Sequence, residues 1–152
     1  MQEPNSTIHK EMEMATPVQL PMLEIITLEV AKKIIDAAIA KAHELKIRPM
    51  SFIVLDGGGQ VVCYNREDFS GILRFEIAYG KAYGALGMNR SSRAIHMMQE
   101  RAPDFIASVM TASQGKLISS PGGVLIRNAN RRIIGAVGST GDGVDADEAC
   151  AI

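Results

Sequence analysis

Ser119-Ser120-Pro121-Gly122-Gly123-Val124-Leu125-Ile126-Arg127-Asn128-Ala129-Asn130-Arg131-Arg132-Ile133-Ile134-Gly135-Ala136-Val137-Gly138 is the stretch whose reading decides the fold. Two short apolar runs, 124–127 and 132–138, flank the polar turn Asn128-Ala129-Asn130. That pattern predicts two antiparallel strands joined by a tight turn. The chain then passes through Ser139-Thr140-Gly141-Asp142-Gly143 into Asp145-Ala146-Asp147-Glu148-Ala149-Cys150-Ala151. The last segment reads as a helix with an acidic first turn, which suits the positive end of the helix dipole.

A second strand pair lies upstream. Ser51-Phe52-Ile53-Val54-Leu55-Asp56 is a strand-type run, Asp56-Gly57-Gly58-Gly59 a hairpin turn, and Gln60-Val61-Val62-Cys63-Tyr64 the return strand. Before it, Thr27 is a plausible N-cap, and Val30, Ile34, Ala37, Ala38 and Ala42 recur at helical spacing until Arg48-Pro49 ends the helix. Between the two strand pairs, a helix is expected over 73–86, with Ala78, Gly80, Ala82, Gly84 and Ala85 unusually small. Two helical glycines four residues apart each cost about 1 kcal/mol against alanine, so another backbone is expected to pass close by. Ser92 is read as the cap of a short helix over 93–100, and Pro103 as the first turn of another reaching 112. Residues 116–119 are a possible short strand. The class expected is α/β of the α+β type: a central antiparallel sheet with flanking helices covering one face.

A chain of 152 residues, 47% hydrophobic, suffices for one domain with one core. Residues 1–22, punctuated by Pro4, Pro17 and Pro21, are read as a flexible N-terminal arm or one that packs on a partner subunit, ahead of a domain over 23–152. A formal net charge of −1 argues against a nucleic-acid binder driven by phosphate neutralisation. The two cysteines, Cys63 and Cys150, form no CxxC or CxxCH, so thiol redox chemistry, a cysteine zinc site and covalent haem attachment lack support. No apolar run approaches the roughly 20 residues of a membrane span. No basic-then-apolar leader is visible, so a cytoplasmic protein without membrane association is expected.

Several residues are candidates for chemistry. Lys81 sits mid-helix among small neighbours, where an amine is partly desolvated and reactive; the plain alternative is a solvated lysine. With Glu76 and Arg66 it makes a candidate catalytic set for a small-metabolite enzyme. His96 lies beside Met97 and Met98, which suits a cofactor wall, although methionine more often fills a core. His9 and His43 have no ligand at metal-binding spacing. Asp145, Asp147 and Glu148 crowd one helix start and are a candidate set for a hard cation; dipole capping is the alternative. The loop 139–143 before that helix is a candidate anion pocket.

Four places together, 28–42, Val54-Leu55-Asp56-Gly57-Gly58-Gly59, Ala78-Tyr79-Gly80-Lys81-Ala82 and the 121–151 block, resemble the GlcG/HbpS family of small haem-binding or haem-degrading proteins, which also supplies the C-terminal domain of PduO-type proteins. The resemblance implies a profilin-like fold, homo-oligomers, and association with haem or iron in an accessory or catabolic role. Within it His96, Met97 and Lys81 are the cofactor-binding candidates. No histidine here stands at a motif position that carries a ligand role over. A structural accessory oligomer without a ligand is the third reading beside the haem binder and the enzyme.

Overall fold

The computed structural model describes residues 25–152; the expected arm and His9 lie outside the described residues. The elements are α1 (Leu28–Leu45), β1 (Ser51–Asp56), β2 (Val61–Arg66), α2 (Arg74–Met88), α3 (Ser92–Arg101), α4 (Pro103–Ala112), β3 (Gly123–Arg127), β4 (Ile133–Thr140) and α5 (Val144–Ala151). The four strands form one antiparallel sheet in the order β2-β1-β4-β3. The α+β class with its central antiparallel sheet is therefore as the sequence indicated. Residues 116–119 form no strand.

Helices cover both faces of the sheet, not one. Successive strand residues point to opposite faces, so a run in which Ser51 through Leu55 are all buried needs cover on each side. Phe52, Val54 and Val137 pack with Ala31, Ile35, Ala38 and Ala42 of α1 and with Cys150 and Ala151 of α5. Ile53, Leu55 and Ala136 pack with Ala78, Ala82 and Ala85 of α2. Ile95, Ile106 and Leu117 make a smaller cluster beside α2. The buried stripe of α1 is Ala31-Ile35-Ala38-Ala42, rotated from the expected one, and Val30 is exposed.

Local chemistry sets the ends. The Thr27 hydroxyl accepts from the Val30 N–H at 3.3 Å, as expected. Ser91, not Ser92, caps α3 by accepting from Ala94. Ser92 is buried, and its hydroxyl accepts the Gly123 N–H at 2.7 Å. In the β1–β2 turn Asp56 Oδ1 accepts from Gly58 and Gln60, and Gly59 takes φ +78°. In the β3–β4 turn Asn128 Oδ1 accepts from Arg132, and the left-handed residue is Arg131.

The layer contact between α2 and the sheet is backbone to backbone. Gly123 and Gly138 are cross-strand partners. A Cβ on Gly138 would stand 2.1 Å from the Ala78 carbonyl oxygen, and one on Gly123 2.2 Å from that of Lys81. On its other side α2 meets the segment 116–118. A Cβ on Gly80 would stand 2.9 Å from the Lys116 carbonyl oxygen, and the Ile118 N–H donates to the Gly80 carbonyl at 3.1 Å. The close backbone inferred from the two helical glycines is this segment of the same chain.

Gly87 has nothing within 4 Å of a Cβ position. Gly87→Ala is therefore expected to stabilise the fold by up to about 1 kcal/mol through helix propensity. Gly138→Ala should destabilise it by about 3 kcal/mol or more, because backbone must move. Urea denaturation midpoints measure both, and equal effects would contradict the packing described.

Candidate functional site

Lys81 and Asp147 form the one ion pair with both side chains sealed from water among the described residues, at 2% and 3% exposure. The α2 backbone places Lys81 against Gly123, and its amine extends to Asp147 Oδ2 at 2.6 Å and to the Ser139 carbonyl at 3.0 Å. Gly122 lines the passage at φ +121°. A Cβ there would fall 3.0 Å from Lys81 Nζ and 2.6 Å from the Ser139 carbonyl oxygen. Asp147 Oδ1 accepts the Gly141 and Asp142 N–H groups, each at 3.0 Å. Ser139 Oγ donates to the backbone carbonyls of Gly122 and Asp147. Burial pushes the Lys81 amine below the usual lysine range, and the Asp147 carboxylate opposes that shift.

The pair links layers. Asp147 belongs to α5, whose Cys150 and Ala151 pack with α1, whereas Lys81 belongs to the helix on the opposite face. The loop 139–143 is accordingly no anion pocket. Two of its N–H groups are spent on Asp147, and the Gly143 N–H on Asp142 Oδ1.

The predicted sets are only partly assembled. Lys81 meets a carboxylate within its own chain, but Glu76 and Arg66 are both exposed and neither joins it. Arg66 donates to the Ser70 carbonyl. The Asp145, Asp147 and Glu148 carboxylates do not converge. Asp147 turns inward to Lys81, while Asp145 and Glu148 both pair with Arg93. Among the described residues no group of three or more His, Cys, Asp and Glu side chains is arranged to hold a metal ion. Cys150 is buried, which pushes its thiol up and leaves it unreactive.

His96 is exposed on α3 beside the half-exposed Met97, and Met98 turns into the small cluster under the helix. His96 Nδ1 lies 3.0 Å from the Ser119 carbonyl oxygen. A carbonyl only accepts, so Nδ1 carries the proton of this bond, and Nε2 is the ring nitrogen left outside it. Sequence reading missed a second histidine arrangement. His43 Nε2 lies 2.7 Å from Glu67 Oε1, and Glu67 Oε2 accepts the Met50 N–H. The pair lines an open cleft of about 500 Å³ with Arg66, Pro49 and Asp68. Its members are 24 positions apart, so no spacing signal announces it.

The family model "Haem degrading protein HbpS-like" matches residues 26–152. An uncharacterised 15.0 kDa protein of Citrobacter freundii, from the dhaT–dhaS intergenic region, is 32% identical over 122 residues, 80% of this chain and 84% of that protein. The crystal structure of Klebsiella pneumoniae protein ORFY superposes with a TM-score of 0.77 at 25% identity, covering 90% of this chain and 92% of that one. The crystal structure of HbpS gives 0.73 at 25% identity with the same coverage. A PduOC–haem complex gives 0.71 at 22% identity over 79% of this chain and 85% of that one, a likeness of fold.

The sealed pair yields a mutational test. Lys81→Met strands a buried carboxylate and Asp147→Asn a buried amine, so each single change is expected to cost about 3–5 kcal/mol. The double change Lys81→Met/Asp147→Asn keeps the amide acceptor for Gly141 and Asp142, and should be less destabilised than either single variant. Additive losses in chemical denaturation would contradict the coupling.

Proposed function

We propose that this chain, which belongs to the HbpS-like family, binds haem non-covalently and serves in an accessory or catabolic role as a homo-oligomer. The single observation that carries the reading is the family match over 26–152. The haem complex of the PduO C-terminal domain supports it at the level of the fold. Family likeness alone supports the homo-oligomer.

Among the described residues, His96 fits the group best. Metal-bound histidines almost always donate their other ring N–H to a carbonyl, carboxylate or water, which fixes the tautomer and the ring orientation. The Ser119 carbonyl already does this for His96, so Nε2 is presented as a ligand without rearrangement. Met97 supplies an apolar surface beside it, half exposed. Bound haem would supply an iron centre for ligand or redox chemistry; the protein's part is to bind and orient it. Lys81 makes no contribution, because its amine is committed to Asp147 and Ser139.

The rival reading as a small-metabolite enzyme loses its central residue for the same reason. A lysine at 1% exposure touches no substrate in this conformation.

Haemin titration of the purified protein tests the reading. A saturable Soret shift is expected, and its absence would overturn haem binding. His96→Ala is expected to weaken binding by about tenfold or more, since losing even an outer-shell partner of a metal ligand typically costs 10–100-fold. An unchanged affinity would remove the ligand assignment and leave the binding.

A further inference from the structure

The segment Arg66-Glu67-Asp68-Phe69-Ser70-Gly71-Ile72-Leu73-Arg74-Phe75-Glu76 connects β2 to α2 and takes no part in the reading above. It displays apolar side chains to water: Phe69 is 97% exposed, Ile72 90%, Leu73 63% and Phe75 38%. The backbone beneath them is tied down. Ser70 is buried, with its hydroxyl 2.9 Å from that of Ser51. Arg66 Nη1 donates to the Ser70 carbonyl at 3.2 Å. Arg74 donates to Thr140 Oγ1 at 3.1 Å and to the Gly141 carbonyl at 3.2 Å. Phe75 is braced edge-on by Tyr64 at 5.0 Å and stacks on Tyr79 at 6.1 Å. Phe69 holds φ +68°, a conformation unfavourable for a bulky side chain, and its ring contributes nothing to the core.

We propose that this segment is a self-association surface, docking on the same segment of a second copy across a two-fold axis. The inference rests on the homo-oligomer reading above and names the surface that makes it. Area is the first argument. A fully exposed phenylalanine presents about 200 Å², so the four side chains offer on the order of 500 Å². That is near the upper end of the roughly 300–600 Å² that the largest patch of an ordinary monomer exposes. It also supplies most of the roughly 800 Å² that each partner brings to a standard interface.

Charge order identifies the occupant as another copy. Mirrored about Gly71, Arg66 stands opposite Glu76, Asp68 opposite Arg74 and Phe69 opposite Leu73, while the half-buried Glu67 falls opposite Phe75 and the buried Ser70 opposite Ile72. An antiparallel apposition centred on Gly71 sets Arg66 against the partner's Glu76 and Asp68 against the partner's Arg74, and it sets Phe69 against the partner's Leu73. An isologous interface requires this kind of self-complementarity, and a rim of one sign would repel its own copy. A guanidinium has five N–H donors, so Arg66 and Arg74 keep donors free after bracing the loop.

The test is the mass of the full chain by sedimentation velocity at micromolar concentration, with circular dichroism as the folding control. Phe69→Asn suits a left-handed backbone, and Ile72→Asp lies on the surface, so the doubly substituted chain should fold. Its assembly mass is expected to fall to half or less. Arg66→Glu and Glu76→Arg should each weaken assembly, and the two together should restore it. An oligomer indifferent to Phe69→Asn/Ile72→Asp overturns this surface and leaves the homo-oligomer reading standing. A monomeric unsubstituted chain overturns both. Single charge reversals without rescue overturn the pairing about Gly71.

Discussion

At Gly123 and Gly138 the backbone of α2 meets the sheet with no side chain between them, because these cross-strand glycines lie where the Lys81 and Ala78 carbonyls come down. Much of the structure follows from that contact. It brings α2 close enough for Ala78, Ala82 and Ala85 to close the core over Ile53 and Leu55, so small residues suffice where larger ones would be needed at ordinary helix–sheet spacing. It leaves the far side of the helix open to 116–118, which Gly80 and Gly84 admit. It also sets the root of the Lys81 side chain at the end of β3, from which the amine reaches the opposite layer.

The Lys81–Asp147 pair is better understood as a device of registry than as a source of net stability. Removing two charges from water costs about as much as their attraction returns, and an apolar pair of similar volume often does as well. What an apolar pair lacks is direction. Asp147 must face Lys81 with one oxygen and the Gly141 and Asp142 amides with the other, which fixes where α5 begins and how the chain leaves β4. Gly122 completes the arrangement, since any side chain there would collide with the Ser139 carbonyl and crowd the amine.

The strands and helices were legible because their signals are local: apolar runs, turn chemistry and helical spacing. The glycine pair in α2 correctly implied a close backbone, here that of residues 116–118. The failures share a cause. That helices cover both faces follows from five consecutive buried residues in β1, which a run of apolar letters does not separate from one-sided burial. Ser91 and Ser92 are interchangeable as caps on paper, and only the tertiary demand of the Gly123 amide decides between them. The three carboxylates of α5 look like a cation site until Lys81 and Arg93, 66 and 52 positions away, claim them. Pairings of that span leave no mark in local spacing.

Among the described residues, the sealed charges of Lys81 and Asp147 are committed to each other. With the Lys81 amine held by Asp147 and Ser139, the proposed haem ligand, Nε2 of His96 on α3, and the proposed docking surface, the apolar segment that opens α2, both lie outside the core. These depend on the scaffold differently. The His96 tautomer is set by the Ser119 carbonyl, in the quoted stretch just ahead of the glycines that seat α2. The loop carrying Phe69 is braced by Arg74 against Thr140 and Gly141, at the other end of the same β-hairpin's path into α5. One stretch of sequence, 119 to 141, thus builds the floor under α2 and orients the histidine. It also anchors the exposed loop, which is why its reading decides the fold and bears on every functional reading.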